Sequence, residues 1–456
     1  MLQNPSFEAG LTGWYTNNVI YADNNPFEGT QAAELGQGVA SMFQDVSLAE
    51  TGQYPLLLSF NAANTSDNNS NGNLVAEVLW LDKDYNAIAS GLRLFSPNGR
   101  INSRPWVTYY DITDQPPAGA AWARLFFSKG QGGFTDIIKI DQVLLTPVNT
   151  NNLVQNPSFE LGLSGWSAAG FFPSFGNTFE GLAMAYTGFE GTIFQDIPIS
   201  ALPANSSFLL SFAARAEVVA SLSIQVQWFD AEENEILPRG LDFIIPGETM
   251  ITQINYLTYL DITKPAPTGA VKARILFKAS LQSQNSFLSI DKVIFARTKT
   301  TNLVQNPSFK NGLDGWTPVN TTLVTQYFQS YEGIEVARVS EDGGALFQEV
   351  SIAHAAGHCF LFNCGLGYRR AGEPPSSGNM LVKVHWLDNG GREIGLGLCL
   401  VIPNFETSRN RWLVYTGITE PAPPGTAKAR VQFTKTFGDT NGGTIDIDKV
   451  LLSRLV

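Results

Sequence analysis

Gln3-Asn4-Pro5-Ser6-Phe7-Glu8-Ala9-Gly10-Leu11-Thr12-Gly13-Trp14 returns as Gln155 to Trp166 and again as Gln305 to Trp316. A closing phrase repeats with it: Ile140-Asp141-Gln142-Val143, Ile290-Asp291-Lys292-Val293 and Ile447-Asp448-Lys449-Val450. The chain therefore carries three copies of one unit, over 1–148, 153–298 and 303–456. The copies stand roughly 150 residues apart, the length of an ordinary single domain, and each is long enough to bury its own core. The joints at 147–152 and 297–302 are short and polar. They read as semi-flexible tethers of limited reach, so the expected arrangement is beads on a string.

Between the two phrases, short alternating apolar segments are separated by Gly, Pro, Asn and Asp, as in Leu56 to Phe60, Leu74 to Leu81, Ala121 to Phe127 and Ile137 to Leu145. Helical spacing is scarce. Many short strands in a unit of this size point to an all-β sandwich. In Val78-Leu79-Trp80, Val226-Gln227-Trp228 and Val384-His385-Trp386, Val and Trp keep one parity, which marks the core side of a strand. The other parity carries Glu77 and Leu79, then Gln225 and Gln227, then Lys383 and His385. That face is polar and differs between copies, so specificity is expected there. Arg124, Arg274 and Arg430 also stand opposite the apolar parity. Each either clamps a ligand or closes the fold against a carboxylate, and their invariance favours the second role.

Charged residues make up 15% of the chain, against roughly 25% in an average soluble protein. The 41 acidic and 29 basic residues give −12, with no basic tract. Nucleic-acid and anionic-membrane binding are disfavoured, because both need clustered Lys and Arg. No run approaches the ~20 apolar residues of a membrane span. No signal peptide is visible before the first motif. All three cysteines, Cys359, Cys364 and Cys399, lie in copy three, so no disulfide framework belongs to the fold. Cys364 aligns with Phe60 and Phe212 and reads as a small buried thiol.

The ordered set of Asn-Pro-Ser-Phe-Glu-x-Gly-Leu-x-Gly-Trp, an aromatic-Glu-Gly, a Val-x-Trp-x-Asp and an Ile-Asp-x-Val resembles carbohydrate-binding modules of the CBM4/9/22 type. It is also similar to β-sandwich domains of surface proteins in spore-forming bacteria. The resemblance covers all three copies and implies three tandem jelly-roll β-sandwich domains. It also implies a structural calcium ion, held by the first-motif carboxylate, the aromatic-Glu-Gly segment and the terminal Asp. Those positions are Glu8, Glu28 and Asp141 in copy one, and Glu160, Glu180 and Asp291 in copy two. Carboxylate oxygens suit Ca²⁺. In copy three Lys310 replaces the first carboxylate beside Glu332 and Asp448, so its site is expected to be emptied.

The family stacks exposed aromatic rings on sugars. Trp14, Trp166 and Trp316 sit inside the opening motif and are expected in the core. Trp106 and Trp412, matched by Tyr256, are expected to be partly exposed. Trp122 is found only in copy one, and Phe171, Phe172 and Phe175 only in copy two; such unique aromatics are the better ligand candidates. No repeated nucleophile–base pair or carboxylate pair suggests catalysis. His354, His358 and Cys359 lie in a turn and lack a convincing fourth zinc ligand.

Three functions are consistent with these observations. One is non-catalytic binding of a polysaccharide or surface glycan, with avidity from three linked modules. The second is a structural or assembly role among neighbouring subunits of a bacterial cell, spore or filament surface. The third is an accessory region of a larger hydrolase. An extracellular or cell-surface location is expected in each case.

Overall fold

A computed structural model describes residues 2–65, 72–101, 106–132, 136–217, 220–249, 256–281, 286–325, 330–340, 343–352, 354–368, 378–403, 411–437 and 444–456. Copy one contributes ten strands: β1 (Tyr15–Asn17), β2 (Val19–Ala22), β3 (Ala32–Leu35), β4 (Ala40–Ser47), β5 (Leu56–Asn64), β6 (Leu74–Leu81), β7 (Ala87–Ser96), β8 (Val107–Ile112), β9 (Trp122–Lys129) and β10 (Ile138–Pro147). They form two antiparallel five-stranded sheets, ordered β1-β4-β9-β6-β7 and β2-β3-β10-β5-β8. The same two orders recur in each later third of the chain, giving six sheets among the described residues. The fold is all-β and of jelly-roll type.

Strand parity sets the packing. Val78, Trp80, Val226, Trp228, Val384 and Trp386 are at most 1% exposed and fill the space between paired sheets. Cys364 is buried among them. The opening motif builds a clamp. Asn4 adopts a left-handed backbone and its amide group donates to the carbonyls of Gly10 and Thr12 and accepts from Ala9 N. The Trp14 indole donates to the Asn4 carbonyl, and its ring packs against Phe7 at 5.5 Å. Asn156–Trp166 and Asn306–Trp316 repeat the arrangement.

The copies are not beads on a string. Leu57, Tyr110, Val148, Leu209, Leu260, Ile294, Leu361, Leu451 and Leu455, drawn from all three, form one apolar cluster. At this centre Thr258 Oγ1 donates to the Thr108 carbonyl and Thr108 Oγ1 to the Val414 carbonyl. The joints are held rather than free. Asn149 Nδ2 donates to the Leu455 carbonyl, Thr150 Oγ1 accepts from Arg297 N, and Lys299 N donates to the Arg454 carbonyl. The expected tethers fail because the sheet containing β5, β8 and β10 is buried on both sides. One side fills its own sandwich and the other must be covered by its neighbours.

Candidate functional site

The aromatic-Glu-Gly segment is the residue set that the three motifs serve. In copy one, Asp141 Oδ2 accepts from Phe27 N and Glu28 N, at 2.8 and 3.0 Å, and its Oδ1 accepts from Gln142 N. Glu8 holds the other side of the loop, accepting from Thr30 N, Thr30 Oγ1 and Gln31 N. Asp291 and Glu160 repeat this in copy two, on Phe179, Glu180, Leu182 and Ala183. Left-handed backbone at Gln142, Lys292 and Lys449 follows each Asp and turns the final strand at a bulge.

Held in this way, each loop docks on another copy. Gly29 N donates to the Val401 carbonyl, Gly181 N to that of Phe95, and Gly333 N to that of Ile244. Phe27 stacks on Tyr415, Phe179 on Tyr109 and Tyr331 on Tyr259, with centroids 4.4, 4.6 and 4.8 Å apart. Copy one thus docks on copy three, two on one, and three on two, and the contacts close a ring. Trp106, Tyr256 and Trp412 lie under the same loop aromatics, at 5.8, 5.7 and 5.8 Å, and are 5, 8 and 7% exposed. The expectation that they present partly exposed rings to a ligand is corrected: they are covered by the interface.

The charges at the three interfaces differ. Lys292 Nζ lies 2.6 Å from Asp111 of copy one and 3.3 Å from Glu180. Lys449 Nζ lies 2.5 Å from both Asp261 of copy two and Glu332. Burial opposes the charge on each lysine, but the facing carboxylates outweigh it and hold both ammoniums above their usual range. At the third interface Gln142 replaces the lysine and Gly417 the aspartate, so both partners are absent together.

This bears on calcium. Glu180 and Glu332 already face an ammonium, and Lys310 adds a second to Glu332 at 2.9 Å. The expected residues of copy two therefore do not fit a divalent cation. In copy one no ammonium among the described residues pairs with Glu28, which is 5% exposed and accepts from Val401 N. Burial, with repulsion from Glu8, pushes its carboxyl up to about 7 against the pull of Val401 and Ser6. Asp141 is also raised, by burial and by Glu28. A cation would relieve both groups, whereas copies two and three already supply an ammonium in its place. Among the described residues there is no group of three or more His, Cys, Asp or Glu side chains placed to hold a metal, the histidines of copy three included.

The other candidate site is the outward sheet. Arg124 forms a two-bond fork on Asp45 at 2.7 and 2.8 Å and lies over Phe43. Arg274 does the same with Asp196 and Phe194, and Arg430 pairs with Glu349 over Phe347. Glu77 accepts from Ser90, Gln225 bonds Asp242 and Gln227, and His385 lies 3.0 Å from Glu393. Lys383 is half-buried on the same face.

Register aligns a row across this sheet that parity alone did not identify. In copy one it reads Tyr15, Phe43, Phe126, Glu77, Arg93. The corresponding rows are Ser167, Phe194, Leu276, Gln225, Asp242 and Thr317, Phe347, Gln432, Lys383, Cys399. Tyr15 is 65% exposed and stacks on Phe43 at 4.8 Å, with Phe126 beyond. Trp122, on the same strand as Arg124 and Phe126, stacks on Tyr85 at 5.0 Å. Only copy one carries three successive rings. Of the copy-two aromatics, Phe172 and Phe175 are exposed on an edge strand and Phe171 is buried.

No protein-family model and no curated protein matches the chain. Among solved structures it is similar to the enzymatically active domain of tailspike protein 4 of bacteriophage CBA120, at 18% identity and a TM-score of 0.28 over 34% of this chain and 21% of that one. It is similar also to the N-terminal tandem of family 22 carbohydrate-binding modules of Paenibacillus barcinonensis Xyn10C, at 13% identity and a TM-score of 0.26 over 65% and 97%. A family 61 carbohydrate-binding module in complex with β-1,4-galactotriose matches at 16% identity and a TM-score of 0.25 over 32% and 99%.

Proposed function

We propose that the chain is a non-catalytic glycan-binding protein whose contact face is the outward sheet of copy one. The observation that carries this reading is the row Tyr15–Phe43–Phe126–Glu77–Arg93. Five strands at about 4.8 Å spacing make a track roughly 20 Å wide. Flat CH-rich sugar faces pack on the rings, and Glu77 and Arg93 bond hydroxyls at the far end. The Arg124–Asp45 fork lies over Phe43 on the same face, so that ring is ordered before ligand arrives.

A glycan array with the full chain tests this. Tyr15→Ala and Phe43→Ala should each weaken binding about tenfold, since a ring contact contributes roughly 1–1.5 kcal/mol. Phe194→Ala in copy two should leave it unchanged. Equal losses from Phe194→Ala and Phe43→Ala would sink the assignment to copy one. Calcium belongs to this reading in copy one alone, where Glu28 and Asp141 would hold it and its charge would replace the missing ammonium.

A further inference from the structure

The junction of copies one and two forms a partly open cavity of about 340 Å³. Arg100 enters it from the turn after β7, and Arg215 from strand Ser207–Glu217 of copy two. Tyr109 and Tyr256 flank them. Arg215 is 6% exposed, and the Nε atoms of both arginines are buried without a hydrogen-bond partner. Arg100 Nη1 donates to Asn177, and the Arg215 guanidinium lies 5.2 Å over the Phe287 ring. Among the described residues neither guanidinium pairs with a carboxylate. Burial lowers the Arg100 guanidinium, against an opposing effect of Tyr256 and with a smaller contribution from the Arg215 charge.

The pair is specific to this junction. The counterparts of Arg215 are Ala63 and Gly367, and those of Tyr256 are Trp106 and Trp412. A Cβ at Gly367 would meet the Trp412 ring at 3.1 Å, so the indole takes the volume that Arg215 uses. The smaller phenol in copy two makes room for a charge. The larger cleft between copies two and three, about 840 Å³, is also lined by Lys310, Lys449 and Arg239, but each of these meets a carboxylate. A buried guanidinium at Arg215 facing a half-buried one at Arg100, with no carboxylate paired to either among the described residues, is costly to keep unless something anionic completes it.

We propose that this cavity binds a carboxylate-bearing ligand, with Arg215 and Arg100 as the pair that holds the anion. A guanidinium fork matches a planar carboxylate, and the volume lies near the lower end of small-molecule sites, roughly 300–1,000 Å³. The ligand is either the uronic-acid residue of an acidic glycan, which rests on the glycan reading above, or a free small carboxylate.

Calorimetric titration of the full chain with sodium glucuronate, sodium acetate and glucose, at matched ionic strength in chloride, tests the site. Glucuronate should bind, glucose should not, and Arg215→Met should weaken glucuronate at least tenfold. Glucuronate binding tighter than acetate assigns the site to an acidic sugar, and equal binding assigns it to a free carboxylate. Arg100→Gln, on the more exposed partner, serves if Arg215→Met does not fold and should cause a similar loss. Tyr15→Ala should leave glucuronate binding unchanged, which separates this site from the outward face. No binding of either carboxylate, or binding unaltered by both arginine variants, overturns the proposal.

Discussion

Glu28 shows how one side chain reports on its interface. Its carboxyl stands at about 7 in the folded chain, against 4.5 in the ordinary state. A raised acid favours the folded state while protonated. That contribution is complete below about pH 4.5 and is lost as pH rises through about 7, on the order of 3 kcal/mol in all. Wild-type melting temperature should therefore fall between pH 5.5 and 8, relative to Glu28→Gln, which removes the titration. Added Ca²⁺ at pH 8 should restore the wild type and leave Glu28→Gln unmoved. A wild type indifferent to Ca²⁺ at pH 8 would remove the ion from copy one. The sequence pointed to these acids as a group but not to their partners. The Glu28 side chain accepts from Val401 N, 373 residues away, and no local spacing encodes that bond.

At the level of loops and strands, the lysines of the closing phrase act between copies. Lys292→Met leaves Asp111 and Glu180 buried without their cation, a loss of about 3–5 kcal/mol, where removal of a solvated surface pair costs under about 1. Thermal unfolding of Lys292→Met beside Lys83→Met, whose Asp84 pair is exposed, measures the difference. Strand parity located the cores, because a period of two needs only neighbouring residues. It also put Glu77, Gln225 and Lys383 on the outward face. The aromatic row was not legible, because Tyr15, Phe43 and Phe126 come together through register between strands far apart in sequence. Arg215 carried a signal that three-way comparison could have raised: an arginine where the other copies have Ala63 and Gly367.

For the whole molecule, the ring changes what a single copy is. Cutting out copy one uncovers Leu57 and Tyr110 at the centre and Tyr109 where Phe179 packs. An excised 1–148 should associate or aggregate, whereas the full chain stays monomeric; light scattering after size exclusion decides between them. The outward sheets point away from the shared centre, so one glycan strand cannot lie along all three, and the avidity expected of tethered modules does not follow from this geometry. The ring also sets an order in time. Copy one leaves the ribosome with its Phe27 loop ready, but the strands that receive it belong to copy three. At roughly 5–20 residues per second that surface remains uncovered for some 15–60 s. The low charge of this chain is least protective during that interval, and a nascent-chain chaperone would have its longest task on the first third of the protein.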